Sequence, residues 1–292
     1  MCGTAGEPPR FTGPFDAGLM AEPHSREASG LVASCRTEGL LWTHEDSGGQ
    51  PVLFALGPDG ARRGAVRLEG VSNEDWEDVA AFELDGRAWL LAADCGDNSA
   101  TRNRGVLHVL EEPAGATLKP GEEQAVRPAY SIPFIYEDMA RDCEAVAVDP
   151  VERTVYLLTK RDNPAQLYRL PLRPATVGHP AVARRVGTVP GLPQPGGLRK
   201  LIQLPAYAYR GHPTALDFSA DGTLALVLTY GDLLVFPRAA GETWSQALAR
   251  NPVRLPAHRL PQAEAACFAR DSRRIFLCSE KSLRLLRYER RD

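Results

Sequence analysis

Five times along this chain a polar residue opens a short apolar strand, which runs into a turn and a second apolar strand. The openings are Glu27-Ala28-Ser29-Gly30-Leu31-Val32, Glu77-Asp78-Val79-Ala80-Ala81-Phe82, Glu144-Ala145-Val146-Ala147-Val148-Asp149, Thr214-Ala215-Leu216-Asp217-Phe218-Ser219 and Glu264-Ala265-Ala266-Cys267-Phe268-Ala269. Their starts are separated by 50, 67, 70 and 50 residues. A unit of about 50 residues that holds four short strands and their loops fits one blade of a β-propeller.

The remaining strands follow in order. Turns such as Leu84-Asp85-Gly86 and Ala220-Asp221-Gly222 place Asp and Gly where tight hairpins need local hydrogen bonds and positive φ. Second strands are expected at 88–92, 155–159, 224–229 and 274–279, and third strands at 52–56, 106–110, 166–170, 233–236 and 283–288. Weaker fourth strands are expected at 65–68, 130–134, 183–189 and 253–255. The last repeat runs out of chain after its third strand. An open ring would expose strand edges, so residues 13–20 are expected to supply the missing strand. The expectation is an all-β chain, one β-propeller domain over residues 1–292, with about five four-stranded blades and a ring closed by an N-terminal strand. Six blades is the alternative if 190–209 hides strands. That stretch and 113–124 otherwise read as Pro/Gly-rich surface insertions.

Bulk properties exclude some classes. A formal net charge of -3 gives no basic field for nucleic acid. No run of about 18 apolar residues would span a membrane as a helix. Of 34 basic residues only Lys119, Lys160, Lys200 and Lys281 are lysine. Six cysteines form no CxxC pair or zinc spacing and read as buried thiols, one or two disulfides being the alternative. The N-terminus lacks a secretory apolar region. Cys2 followed by small residues reads as the mature start of a lipid-anchored or periplasmic exported protein, the alternative being a cytoplasmic one. A monomer is expected, with a small-molecule ligand at the channel mouth.

Propeller geometry turns the repeat into a site. First strands line the channel and second strands run antiparallel beside them, so first-strand starts and second-strand ends share one face. That face gathers Glu27, Glu77, Glu144, Thr214 and Glu264 with Asp46, Asp97, Asn98, Lys160, Tyr230 and Glu280. Glu144 to Lys160, Thr214 to Tyr230 and Glu264 to Glu280 are each 16 residues apart, which suggests one structural level. Four glutamates in one channel repel strongly unless neutralised. A hard cation such as Ca²⁺, which takes six to eight oxygens, is one remedy. Pairing with Lys160, Arg102 or Lys281 is a second, and protonation at raised pKa is a third. A fourth reading has each glutamate simply tether its neighbour's backbone.

Several strings resemble a known group. They are Glu27-Ala28-Ser29-Gly30, Trp42-Thr43-His44-Glu45-Asp46-Ser47-Gly48, Asp75-Trp76-Glu77-Asp78-Val79-Ala80, Gly96-Asp97-Asn98 with Arg102, Asp142-Cys143-Glu144-Ala145, Thr159-Lys160, Thr214-Ala215-Leu216-Asp217 and Glu264-Ala265 leading to Ser279-Glu280. Together they resemble a mostly uncharacterised group of bacterial propeller proteins, commonly exported. More distantly they are similar to the phytase-like, or esterase-like, propellers. That resemblance implies calcium binding and hydrolysis of phosphate or other esters. Thr214 departs from the glutamate pattern, and no dense Lys/Arg cluster for a highly phosphorylated substrate is visible.

Two functions follow as expectations. One is a calcium-dependent hydrolase of small esters, lactones or phosphoesters. Glu27, Glu77, Glu144, Glu264 and Asp97 would be its metal ligands, and Glu144, Lys160 and Arg102 its catalytic groups. Asp46, Asn98, Thr214, Tyr230 and Glu280 would contact substrate. The other is a non-catalytic ligand-binding or scaffold propeller with a structural metal or none. Gly-x-Ser-x-Gly, P-loop and His-Glu-x-x-His motifs are all absent from the sequence.

Overall fold

The computed structural model describes residues 8–21, 28–173, 179–193 and 209–292. Strand β1 (Phe11–Leu19) comes first, followed by a group of β2 (Ala28–Ala33), β3 (Leu41–Glu45), β4 (Val52–Leu56) and β5 (Arg62–Leu68). The next group holds β6 (Trp76–Leu84), β7 (Arg87–Asp94), β8 (Gly105–Glu111), β9 (Glu123–Val126) and β10 (Tyr130–Tyr136). Then come β11 (Cys143–Asp149), β12 (Thr154–Thr159), β13 (Ala165–Pro171) and β14 (Ala181–Val189). A fourth group is β15 (Pro213–Phe218), β16 (Leu224–Thr229), β17 (Leu233–Pro237) and β18 (Val253–Arg254). The chain ends with β19 (Ala263–Phe268), β20 (Arg274–Ser279) and β21 (Ser282–Arg290). Among the described residues helix is limited to a 3-10 turn at Gly115–Thr117 and α1 (Trp244–Leu248), which opens with a Thr243/Gln246 capping box.

Apart from β9, strands that follow one another within a group pair antiparallel, with β10 taking its place on β8. The first strands pack in a circuit: β2 on β6, β6 on β11, β11 on β15, β15 on β19, and β19 back on β2. This is a β-propeller-like arrangement around a channel. The inner strands carry mostly small side chains, as in Ala263, Ala265, Ala266 and Cys267, all buried. Larger residues would not fit where strands converge at interior packing density. Bulk is placed further out, where Trp42, Trp89 and Phe134 fill the layers between neighbouring sheets.

The ring closes as expected. β1 pairs antiparallel with β21, from Phe11 opposite Arg290 to Leu19 opposite Arg284, and completes the sheet of β19, β20 and β21. Two outer-edge features were not foreseen. The stretch 113–124, expected as a plain loop, leads into β9, which adds parallel to β5. β10 pairs parallel with β14 and joins the second and third groups into one eight-stranded sheet. Both pairings cover backbone edges that would otherwise be open. Residues 194–208, most of the stretch that carried the alternative of a sixth blade, lie outside the described residues.

Inner strands of neighbouring groups pack together without a shared ladder, so their backbone amides need other acceptors. Asp78 on β6 accepts from its neighbour Val79 N and from Val146 N on β11, both at 2.8 Å, and from Leu216 N on β15 at 3.5 Å. Asp217 on β15 accepts from Phe268 N on β19 at 2.8 Å. Burial raises both carboxyl pKa values, that of Asp217 to about 7, against the pull of these amides. Cys35, Cys95, Cys143, Cys267 and Cys278 are free thiols, in line with the sequence reading. Among the described residues no helix is long and apolar enough to cross a membrane.

Candidate functional site

Every inner strand carries the same local irregularity. The register between β2 and β3 slips after Ala28, between β6 and β7 after Trp76, and between β11 and β12 after Cys143. It slips likewise after Pro213 between β15 and β16, and after Ala263 between β19 and β20. A β-bulge leaves one residue without an opposite partner and re-aims its side chain. The bulged residues are Ser29, Glu77, Glu144, Thr214 and Glu264. All five are buried. The level proposed from spacing therefore exists, with one correction. Ser29, two residues further on, stands where Glu27 was expected, and Glu27 lies outside the described residues. In the first group the residue opposite Glu45 on the second strand is Ala28, and the bulge follows it.

The next residue after each second-strand partner completes the level: Asp46, Cys95, Lys160, Tyr230 and Glu280. Lys160 Nζ forms a buried ion pair with Glu144 Oε1 and lies 5.2 Å from the centroid of the Tyr230 ring. Ser29 Oγ donates to the Glu77 carbonyl at 3.1 Å and to Glu77 Oε2 at 3.4 Å. Thr214 Oγ1 donates to the Ala263 carbonyl at 2.9 Å. Cys95 Sγ donates to the Cys143 carbonyl at 3.2 Å. Ser29, Thr214 and Cys95 thus tie neighbouring groups together, as side-chain donors and not as glutamates accepting from a neighbour's backbone.

Its acidic part is concentrated between the first two groups. Asp46, Asp75 and Glu77 each offer a carboxylate oxygen, and these atoms lie within 4.8 Å of one another. The loop before β6 is built to present them. Asn73 Oδ1 accepts from Trp76 N at 3.0 Å, and Asn73 Nδ2 donates to the Asp46 carbonyl at 3.0 Å. Buried Asp94 accepts from Glu74 N at 3.1 Å and Asp75 N at 3.2 Å. Gly96 closes the cradle. A Cβ there would sit 2.2 Å from Glu77 Oε1 and 2.5 Å from Asp75 Oδ2, so no other residue fits without moving the carboxylates.

The electrostatics match the crowding. Desolvation, then the charge of Asp46, pushes Asp75 up to about 6. Glu77 is raised well above the carboxylate range by burial and by Asp46 and Asp75, with Lys160 pulling the other way. Glu264 is raised to about 8, chiefly by burial, while Lys160 and the Tyr230 hydroxyl restrain it and Glu280 raises it further. An all-oxygen set of this kind suits a hard divalent cation rather than a thiophilic one. Asp46, Asp75 and Glu77 supply three of the oxygens such an ion needs, and carbonyls or water would complete its shell.

Other expected site residues are placed differently. Glu144 is held by Lys160 and Glu264 faces Tyr230, so neither stands in the three-carboxylate cluster with Glu77. Asp97, expected as a ligand, accepts from Arg102 N at 2.6 Å, and its own amide donates to Asp142 Oδ1 at 3.1 Å. Arg102, expected to face substrate, binds Asp94 Oδ1 at 2.7 Å, Glu74 Oε2 at 3.2 Å and the Gly96 carbonyl at 2.7 Å. It is a clamp on the 94–102 loop and holds the Gly96 cradle. Asn98 accepts from the Arg161 guanidinium. Glu280 lies beside Lys281 (3.5 Å) and accepts from Gln262. Asp75 belongs to the densest acidic stretch of the sequence but was not singled out, because a loop residue before a bulge has no fixed spacing to the strand pattern. His44 is fully buried, with Nδ1 2.9 Å from the Glu45 carbonyl and its ring edge-on to Trp76 at 5.7 Å. It packs behind the ring.

No family model matches the chain, and no curated protein sequence matches it. A solved structure described as "Crystal structure of Nidogen/Laminin Complex" is similar over 86% of this chain and 72% of that chain, at 12% identity and a TM-score of 0.46.

Proposed function

We propose that the five strand groups are the blades of a five-bladed propeller. We further propose that its acidic mouth binds Ca²⁺ through Asp46, Asp75 and Glu77 and serves a hydrolase of small esters, lactones or phosphoesters. The observation that carries this reading is the convergence of three carboxylates within 4.8 Å over a glycine cradle. Their protonation energetics point the same way, since a cation would relieve what burial and mutual repulsion impose. A bound calcium would polarise the scissile group. The chain's own groups would do the rest. Glu264, raised to about 8, is the ring carboxyl outside the three-carboxylate cluster that would exchange a proton near neutral pH. Tyr230 and Lys160 lie beside it and would orient the reacting end of the substrate. Glu144 would position Lys160 and not act as the base.

A second reading has one observation in its favour. Lys160 is already paired with Glu144 and stacked on Tyr230, which leaves no uncompensated cation in the ring to stabilise a developing anion. In that reading the propeller binds a ligand without turning it over, and its metal is structural.

Calorimetry with Ca²⁺ tests the shared part. The parent should bind calcium, and Glu77→Gln and Asp75→Asn should each weaken it at least about tenfold. Turnover of 4-nitrophenyl acetate or 4-nitrophenyl phosphate, lost in Glu264→Gln, would then separate hydrolase from binding module. A parent that binds no calcium at millimolar concentration would end the metal reading.

A further inference from the structure

Beside the ring, below the turns that lead into β15 and β19, lies a cavity of about 990 Å³. Its size is that of a small-molecule site. Lys160 and Tyr230 belong to both ring and cavity wall, so the two are continuous. Arg161, Arg210 and Arg259 also line it, and no carboxylate does among the described residues. Arg161 is paired with Asp142 at 2.6 Å, and Arg210 lies a looser 3.5 Å from Asp232 behind the wall. Arg259 is exposed and pairs with no carboxylate among the described residues.

His258 supplies an independent observation. It lines the same cavity and is only 4% exposed. Its Nδ1 accepts from Leu260 N at 3.1 Å, and burial lowers its pKa to about 4. The ring is therefore neutral, with its proton on Nε2. That buried Nε2 has no hydrogen-bond partner among the described residues. A buried N–H without an acceptor is costly, and an anionic oxygen would satisfy it. Tyr209, Tyr230, Leu260 and Pro261 add aromatic and apolar wall.

We propose that this cavity binds an organic anion, with a phosphate or carboxylate group held by Arg210, Arg259 and His258 and an aromatic or apolar body against Tyr209 and Tyr230. The inference rests on the ring reading only in taking that anion as the ring's substrate. The acidic ring repels anionic groups, so the charged end belongs in the basic cavity and the uncharged end reaches the mouth past Lys160.

The test is calorimetric titration with phenyl phosphate and phenylacetate, with phenol as the neutral comparison, in EDTA and again in calcium. Arg259→Asn and Arg210→Gln are compared with Arg127→Gln, an arginine whose side chain is 84% exposed elsewhere. Asn is chosen because Arg259 has a φ of 59°, which Asn tolerates. Matching thermal unfolding curves establish that each variant is folded. The expected result is binding of at least one anion in EDTA, weakened about tenfold by either cavity variant, unchanged by Arg127→Gln, and no binding of phenol. Absence of anion binding in EDTA, or binding indifferent to both cavity variants, overturns the proposal. Binding that appears only with calcium also overturns it, placing the anion on the ring and leaving the cation reading intact. Anion binding in EDTA by a protein that takes up no calcium upholds the cavity and removes the cation.

Discussion

Lys160→Met isolates the electrostatic logic of the ring. The lysine side chain is 9% exposed and the Glu144 side chain 5% exposed, so their pair is shielded from water. Removing one partner of a buried pair costs about 3–5 kcal/mol, because a buried charge is left uncompensated. The lower end applies here, since the Glu144 carboxylate left without its cation can take up a proton. A loss of about 3 kcal/mol should lower Tm by roughly 6–12 °C. The pH dependence is the sharper readout. Glu264 titrates near 8 in the folded protein against an ordinary 4.5. Between those values the folded state binds more protons than the unfolded one, so stability falls as pH rises. Without Lys160 the buried carboxylate of Glu144 loses its cation and should take up a proton in the folded protein, so the pH-dependent loss should steepen. Thermal unfolding by circular dichroism in EDTA, at pH 5.5 and pH 8, should therefore show a large deficit at pH 8 and a smaller one at pH 5.5. The double variant Lys160→Met/Glu144→Leu should regain most of it. A deficit under about 1 kcal/mol at pH 8, or one equal at both pH values, would refute the argument.

Four further perturbations follow from the same geometry. Gly96→Ala should weaken calcium binding at least about tenfold with Tm little changed, because its Cβ would fall 2.2 Å from Glu77 Oε1; unchanged affinity by calorimetry would contradict the cradle. Calcium affinity should rise with pH between 5 and 7.5, as protons leave Asp75 (about 6) and stop competing for its oxygens; a flat profile would take Asp75 out of the site. Asp78→Ala should cost at least about 2 kcal/mol in urea denaturation, since it strips acceptors from Val79, Val146 and Leu216 N–H groups. Deleting residues 1–20 removes β1 and leaves the outer edge of β21 unpaired, so size-exclusion chromatography should show aggregation in place of the parent's elution.

Much of the fold was legible because each strand is announced twice, by its apolar run and by the turn after it. β4 and β16 match their expected spans residue for residue, and β1 was found by its absence from the other end of the chain. Outer-edge pairings were not legible. β9 and β10 meet β5 and β14 as parallel edges, and an exposed strand's sequence does not say whose edge it covers. The cavity was hidden for a related reason. Arg161, Arg210, His258 and Arg259 sit in connectors of different groups, and nothing in their local sequence shows that propeller closure brings them to one wall.

The ring itself is written in two letters per group, and the sequence pattern names both in the third, fourth and fifth groups but only one of the two in the first and second. The bulged residue sets what enters the channel, and the residue just past the second strand sets what it meets there. Glu77 and Glu144 carry the same side chain on the same bulge, yet their fates differ. Glu144 is followed across the hairpin by Lys160, which neutralises it. Glu77 is followed by Cys95, which offers no charge, so its carboxylate is left to Asp46 and Asp75. Glu264 is raised chiefly by burial, and Glu280 across its hairpin raises it further. A search for repeated glutamates therefore finds the level but cannot find the site. The proposed cation site is where a bulged glutamate lacks a cation on its own hairpin and a neighbouring loop adds carboxylates, and by that criterion Glu77, not Glu144, would be its centre.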